Sequence, residues 1–245
     1  MIGDIMTVLW KEGIEILHMR GSVRSTVTTL LIPVAILGIV FPLQFGMQWA
    51  ESPVSLIAWA WIPLILTITV IADSVAGEKE RHTLETLLSS RLPDRAILLG
   101  KLLTSVLYAL ALTSLILLSG LVTVNIAHHD KGFIWYNPMF LSAGLVIGLL
   151  VTTFAATTGI LVSIKAHTVR QAAQTLSLGI VIVAVLPSLL LTVLPVELRK
   201  RIFSMLDTLD GTLVLITVIG AFILVDCLLL AVAVRRFKRN RLMTE

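Results

Sequence analysis

The residues able to do chemistry are few and mostly scattered. His128, His129 and Asp130 stand side by side, but adjacent histidines do not face one metal ion as histidines four apart on a helix do, so they read as an outer loop. The sequence LLGKLLT contains Gly100 and Lys101 but lacks the upstream glycine of a phosphate-binding loop, and neither H-E-x-x-H nor G-x-S-x-G occurs. Cys227 is the single cysteine, so it has no disulfide partner and reads as a small core residue. Asp226 lies well inside an apolar run, where a carboxylate is costly unless it meets a partner. Asn125, Gln171, Gln174, Thr175 and the series Thr152, Thr153, Thr157, Thr158 are candidates to line a polar path or to hydrogen bond between helices. The densest charge lies elsewhere, in AGEKERHTLETLLSSRLPDRAILLGKLL at 76–103, with Glu78, Lys79, Glu80 and Arg81 in succession.

The elements that must carry these residues are set by composition. The chain has 245 residues, 57% hydrophobic and 14% charged, with a mean hydropathy of +0.98. A soluble domain carries roughly 25% charged residues, and the apolar excess comes in runs of about 20, the length that crosses a bilayer as a helix. An all-α integral membrane protein is predicted, with spans near 26–46, 54–76, 102–126, 139–164, 172–195 and 212–234. The fifth is expected to kink or unwind at Pro187. No signal-peptide cleavage site follows the first run, which reads as a retained helix. Gly144 and Gly148 form a G-x-x-x-G pair that signals close helix contact.

With the N-terminus inside, 15 of the 19 lysines and arginines fall on inner segments. That bias places both termini in the cytoplasm and accounts for the net charge of +4 without nucleic acid. Trp49, Trp59, Trp61, Trp135 and Tyr136 then gather near the outer interface. The outer segment 196–211 contains the basic triplet Arg199, Lys200 and Arg201 and reads either as an amphipathic surface helix or as a solvated loop. Residues 1–25 form an amphipathic N-terminal helix, with Ile2, Ile5, Met6, Leu9, Gly13, Ile16 and Leu17 on one face and Asp4, Thr7, Lys11, Glu15 and His18 opposite.

Within the coupling loop, 77–101, the pattern is ordered. Gly77 is placed to end the second span. Thr83 is placed to cap a short helix with Glu85 in its first turn, and Leu84, Leu87 and Leu88 give that helix an apolar face. Pro93 stops it and Asp94 can cap the next.

The string A-G-E-K-E-R-x-T-L-E-x-L-L, followed by a proline turn and I-L-L-G-K, resembles the signature between the second and third helices of type-2 ABC transporter permeases. Six spans, an N-terminal elbow helix and a length near 250 residues match as well. The resemblance implies a permease subunit of an ATP-driven exporter in the cytoplasmic (inner) membrane. Two copies, as a homodimer or a related heterodimer, would form the path, and two separate ABC ATP-binding subunits would bind ATP and Mg. It implies that Glu78, Lys79, Glu80, Arg81, Thr83, Leu84, Glu85 and Leu88 couple to the ATPase, with Leu84 and Leu88 filling its groove. It also implies that the second and fifth spans line the path. The family often has glycine where this chain has His82. The alternative is an intramembrane enzyme or assembly factor without an ATPase, using Asp226 and the His128–Asp130 patch. A specialised haem or cofactor exporter would need a ligand cluster that the sequence does not contain, and the substrate is not encoded in any charge pattern of the spans.

Overall fold

The computed structural model describes residues 1–18, 31–52, 54–199 and 211–237, and among these it is helical with no strands. The elements are α1 (Ile2–His18), α2 (Leu31–Phe45), α3 (Gln48–Glu51), α4 (Val54–Glu80), α5 (Leu84–Ser89), α6 (Asp94–Ala127), α7 (Pro138–Lys165), α8 (Val169–Val193) and α9 (Gly211–Arg236).

Among the described residues, four helices are long and apolar enough to cross a membrane: 60–80 in α4, α6, α7 and 216–236 in α9. The first expected span begins outside the described residues and continues as α2. The fifth coincides with α8, which runs as one helix across Pro187 rather than unwinding there. A continuous helix sacrifices one backbone bond at a proline, whereas unwinding in apolar surroundings would strand several. Of the outer segment 196–211, residues 200–210 lie outside the described residues.

α6 has 34 residues, hence a length of about 51 Å, well beyond a ~30 Å hydrocarbon core. Its first turns form one wall of the charged end of the molecule, where Lys101 meets Glu12 and Glu78. α4 is the central helix, packed against α6, α7 and α8. Gly159 lets α4 and α7 meet closely, since a Cβ there would lie 2.2 Å from Ile71 Cγ2. Gly144 and Gly148 are buried on the same helix. The main core joins Ile71, Val75, Leu88, Ile97, Leu98 and Ile160.

The opposite end is held by neutral groups. Trp49 Nε1 donates to Tyr136 Oη at 3.0 Å, and Tyr136 Oη donates to the Leu117 carbonyl at 2.8 Å. Burial pushes the Tyr136 hydroxyl up to about 12, although the Trp49 hydrogen bond opposes this. Within α2, Ile36–Val40 form a π-turn, which disturbs the regular ladder. The Gly38 carbonyl there accepts from Thr123 Oγ1 at 3.0 Å.

The N-terminal helix lies against α6, but not on the whole face expected. Val8 is buried at 1% exposure and seats on Gly100, where a Cβ would lie 2.5 Å from Val8 Cγ1. Ile2, Met6, Trp10 and Ile14 point away from the protein and are exposed. The predicted apolar face therefore divides, because the charges of Lys11, Glu12 and Glu15 are drawn inward to partners on α4 and α6.

Candidate functional site

α4 does not end at Gly77 but continues to Glu80. It ends instead through His82, whose φ is 56°. His82 N donates to the Lys79 carbonyl at 3.1 Å and Thr83 N to the Glu78 carbonyl at 2.9 Å, the paired bonds of a Schellman terminus whose left-handed position usually carries glycine. Gly77 serves space instead. A Cβ there would lie 2.0 Å from Asp73 Oδ1 and 3.0 Å from Arg81 Nη2.

The four charged residues of this terminus each reach different elements. Glu78, 2% exposed, accepts from Lys11 Nζ of α1 at 2.7 Å and lies 3.0 Å from Lys101 Nζ of α6. Lys79 Nζ donates to the Ile164 carbonyl in the last turn of α7 at 2.5 Å. Glu80 Oε2 accepts from Val169 N, the first residue of α8, at 3.1 Å, where a helix N-terminus favours an anion. Arg81 lies 3.3 Å from Glu15 of α1 and 3.3 Å from Asp73 of α4. One turn of chain therefore grips α1, α4, α6, α7 and α8 together.

Behind the turn lies a buried network. The Lys101 ammonium, fully enclosed, donates to Glu12 Oε1 at 2.8 Å and to the Ser74 carbonyl at 2.7 Å, and pairs with Glu78 Oε1 at 3.0 Å. Lys11 likewise meets Glu12, Glu15 and Glu78 within 3.0 Å. Burial opposes the Lys11 charge, but the carboxylates of Glu12, Glu78 and Glu15 outweigh it and raise its pKa above the usual lysine value. Burial likewise opposes the Glu12 charge, but Lys101 and Lys11 hold its carboxyl below the usual range. Glu12, Glu15 and Glu78 bring carboxylate oxygens within 4.8 Å of one another, a spacing a cation could use. Here the ammonium groups of Lys11 and Lys101 take those oxygens, so the arrangement is an ion-pair network.

Sequence reasoning missed Glu12, Lys101 and Ser163. Ser163 Oγ donates to the Ala72 carbonyl at 3.1 Å and accepts from Ala76 N at 2.8 Å. It thus inserts an α7 hydroxyl into the backbone ladder of α4, beside the charged terminus. The available signal was positional: an acid in the N-terminal helix and a lysine at the foot of an apolar helix both need partners.

In α5, Leu84 and Leu88, at 5% and 0% exposure, pack into this chain's own core. The outward surface carries Glu80, Arg81, His82, Thr83, Glu85, Thr86 and Ser89. Thr83 occupies the cap position without a side-chain cap bond, its hydroxyl donating to the Glu78 carbonyl at 3.4 Å. Asp94 is the first residue of α6, with Pro93 at the cap position.

The other polar candidates are dispersed. Asn125 donates to the Ile134 carbonyl at 2.9 Å and accepts from Ile134 N at 2.8 Å, which pins the loop between α6 and α7. Thr152, Thr153, Thr157 and Thr158 donate to carbonyls of their own helix, the usual resource of hydroxyls inside helices. Gln171 accepts from His167 N at 3.0 Å and Thr175 donates to the Gln171 carbonyl at 2.9 Å, while Gln174 is exposed. His129 pairs with Asp130 in the open, and His128 bonds the Val124 carbonyl. Asp226 is 7% exposed, and among the described residues neither carboxylate oxygen has a partner. One turn before it, Phe222 meets Phe154 of α7 edge-on at 6.1 Å between ring centres.

A cavity of about 480 Å³ lies between α4, α7 and α8, bordered by Trp61, Leu64, Phe154, Leu176 and Ile180.

Residues 11–210 match the family described as ABC-2 family transporter protein. The match covers most of the chain and includes the whole charged turn, so this protein belongs to that family, the type-2 ABC transporter permeases. Comparison with curated proteins and with solved structures finds no match. The chain is accordingly a multi-pass membrane protein of a transporter, from a family that implies an ABC ATP-binding partner.

Proposed function

We propose that this chain is the permease subunit of an ATP-driven exporter in the cytoplasmic membrane, with both termini inside. Two copies, identical or related, enclose the path, and two ABC ATP-binding subunits bind ATP and Mg and perform the hydrolysis. The observation that carries the reading is the Glu78–Arg81 turn, tied to five helices immediately before α5, whose outward face is polar. A partner that displaces α5 pulls on α1, α4, α6, α7 and α8 at once.

The groove-filling role first given to Leu84 and Leu88 passes to the outward residues. Glu85 and Thr86 meet the ATPase, and Arg81 and Glu80 relay its movement. Charge complementarity at such a rim sets partner choice. The cavity between α4 and α8 supports the expectation that these helices border the path.

The test is co-purification with an ABC ATP-binding subunit encoded beside this protein. Glu85→Arg with Thr86→Glu should abolish the complex and leave the permease monodisperse. A complex retained in that variant, with ATP-dependent transport intact, overturns the coupling assignment.

A further inference from the structure

The cavity between α4, α7 and α8 is walled almost entirely by apolar side chains, with Thr158 and Thr175 its hydroxyls. Its volume of about 480 Å³ falls within the roughly 300–1,000 Å³ of ligand clefts. Trp61 at its edge is 41% exposed, so the chamber opens sideways to whatever surrounds the helices. Gly179 leaves part of it empty, since a Cβ there would meet nothing within 4 Å.

A second hollow, of about 290 Å³, adjoins it. Val162 and Thr175 border both spaces. The second is flanked by Lys165 at the end of α7, Gln171 in the first turn of α8 and Arg236 at the end of α9. It therefore lies at the end of the molecule that carries the Glu78–Arg81 turn. Among the described residues, neither Lys165 nor Arg236 forms an ion pair, in contrast to Lys11, Arg81 and Lys101. No acid lines this hollow among the described residues, and Glu80 of the charged turn is engaged by the Val169 backbone. An apolar chamber thus continues into a vestibule with two uncommitted cations.

The geometry points to a binding site for an acidic glycerophospholipid of the surrounding leaflet, with an acyl chain in the chamber and the phosphate between Lys165 and Arg236. An acyl chain matches the apolar walls, and Lys165 and Arg236 complement a phosphate. A neutral or cationic amphiphile would leave both cations unpaired. The site rests on the permease reading only in that its occupant would sit beside the path; binding itself requires no ATPase.

The experiment uses the full-length chain, purified alone and titrated in mixed micelles with phosphatidylglycerol or phosphatidylcholine of matched acyl chains, with bound lipid counted by native mass spectrometry. Wild type should retain one phosphatidylglycerol in preference to phosphatidylcholine. A basic residue near an acidic headgroup contributes about 1 kcal/mol, roughly fivefold in affinity. Lys165→Gln with Arg236→Gln should therefore lower the preference by up to about 25-fold, phosphatidylglycerol retention falling more than that of phosphatidylcholine, whose choline already offsets its phosphate. Gly179→Phe should lower retention of both lipids by filling the chamber, and its unchanged melting temperature would show that the helices remain packed. Equal retention of the two lipids by wild type, or an undiminished preference in the double variant, overturns the site. Retention of free stearate but not of phosphatidylglycerol would overturn the assignment to a membrane lipid. Loss of the site would leave co-purification with the ATPase untouched, so the two readings fail separately.

Discussion

Replacing Lys101 by methionine isolates what the buried network contributes. The side chain is fully enclosed and satisfies Glu12, Glu78 and the Ser74 carbonyl at 2.7–3.0 Å. Methionine keeps the chain's length and apolar volume but removes the charge. Glu78 retains Lys11 as its remaining cation, and its second oxygen has no partner among the described residues. Removing one member of a buried ion pair costs about 3–5 kcal/mol, because the other charge stays behind uncompensated. For a chain of this size each kcal/mol moves the midpoint by about 2–4 °C, so the expected fall is on the order of 10 °C. The assay is thermal unfolding of the detergent-solubilised protein followed by fluorescence-detected size exclusion. Lys101→Met with Glu78→Gln should recover at least half of the loss, since the uncompensated charge is then gone. The reasoning is refuted if Lys101→Met melts within a degree or two of wild type, or if the added Glu78→Gln makes it worse.

Three further outcomes follow from the same geometry. His82→Gly should raise the melting temperature by a few degrees, because a non-glycine left-handed residue costs about 1–2 kcal/mol, partly offset by the entropy of glycine at roughly 0.5–1 kcal/mol. Gly159→Val should destabilise by about 1–3 kcal/mol through overpacking against Ile71, read in the same melts and relieved by Ile71→Ala. Lowering pH should weaken the attachment of α1. The Glu12 pKa is depressed on folding, so its contribution is complete above the ordinary value of 4.5 and is lost as pH falls through the lower folded value. Midpoints measured between pH 7 and 3 should decline steeply at the acid end, and Glu12→Gln should flatten that decline.

How far the sequence reached depended on whether a feature was local. The apolar runs located α4, α6, α7, α8 and α9, because helix length in lipid is fixed by the thickness to be crossed. The short helix after the charged turn was evident from its leucine spacing and from Pro93, whereas the caps were not: α4 runs past Gly77, and Thr83 makes no side-chain cap bond. Nor was the direction of the leucine face. An apolar stripe of three leucines shows which residues share a side, but whether that side meets a neighbour in the same chain or another protein is decided by tertiary packing. Partner choice within the charge cluster was hidden for the same reason. Glu12 and Lys101 are 89 residues apart, and nothing local relates them. Thr152 and Thr157 of α7 donate to carbonyls of their own helix, a local pairing that the residue types alone do not distinguish from a bond to a neighbouring helix.

Gly77 holds a further consequence. An alanine methyl at Gly77 would fall 2.0 Å from Asp73 Oδ1 and 3.0 Å from Arg81 Nη2, the ends of two flexible side chains that can turn aside. Gly77→Ala should therefore separate that pair and leave the helix in place, costing no more stability than Arg81→Gln in the same melts. The residue with no side chain is the volume in which Asp73 and Arg81, eight residues apart, can touch.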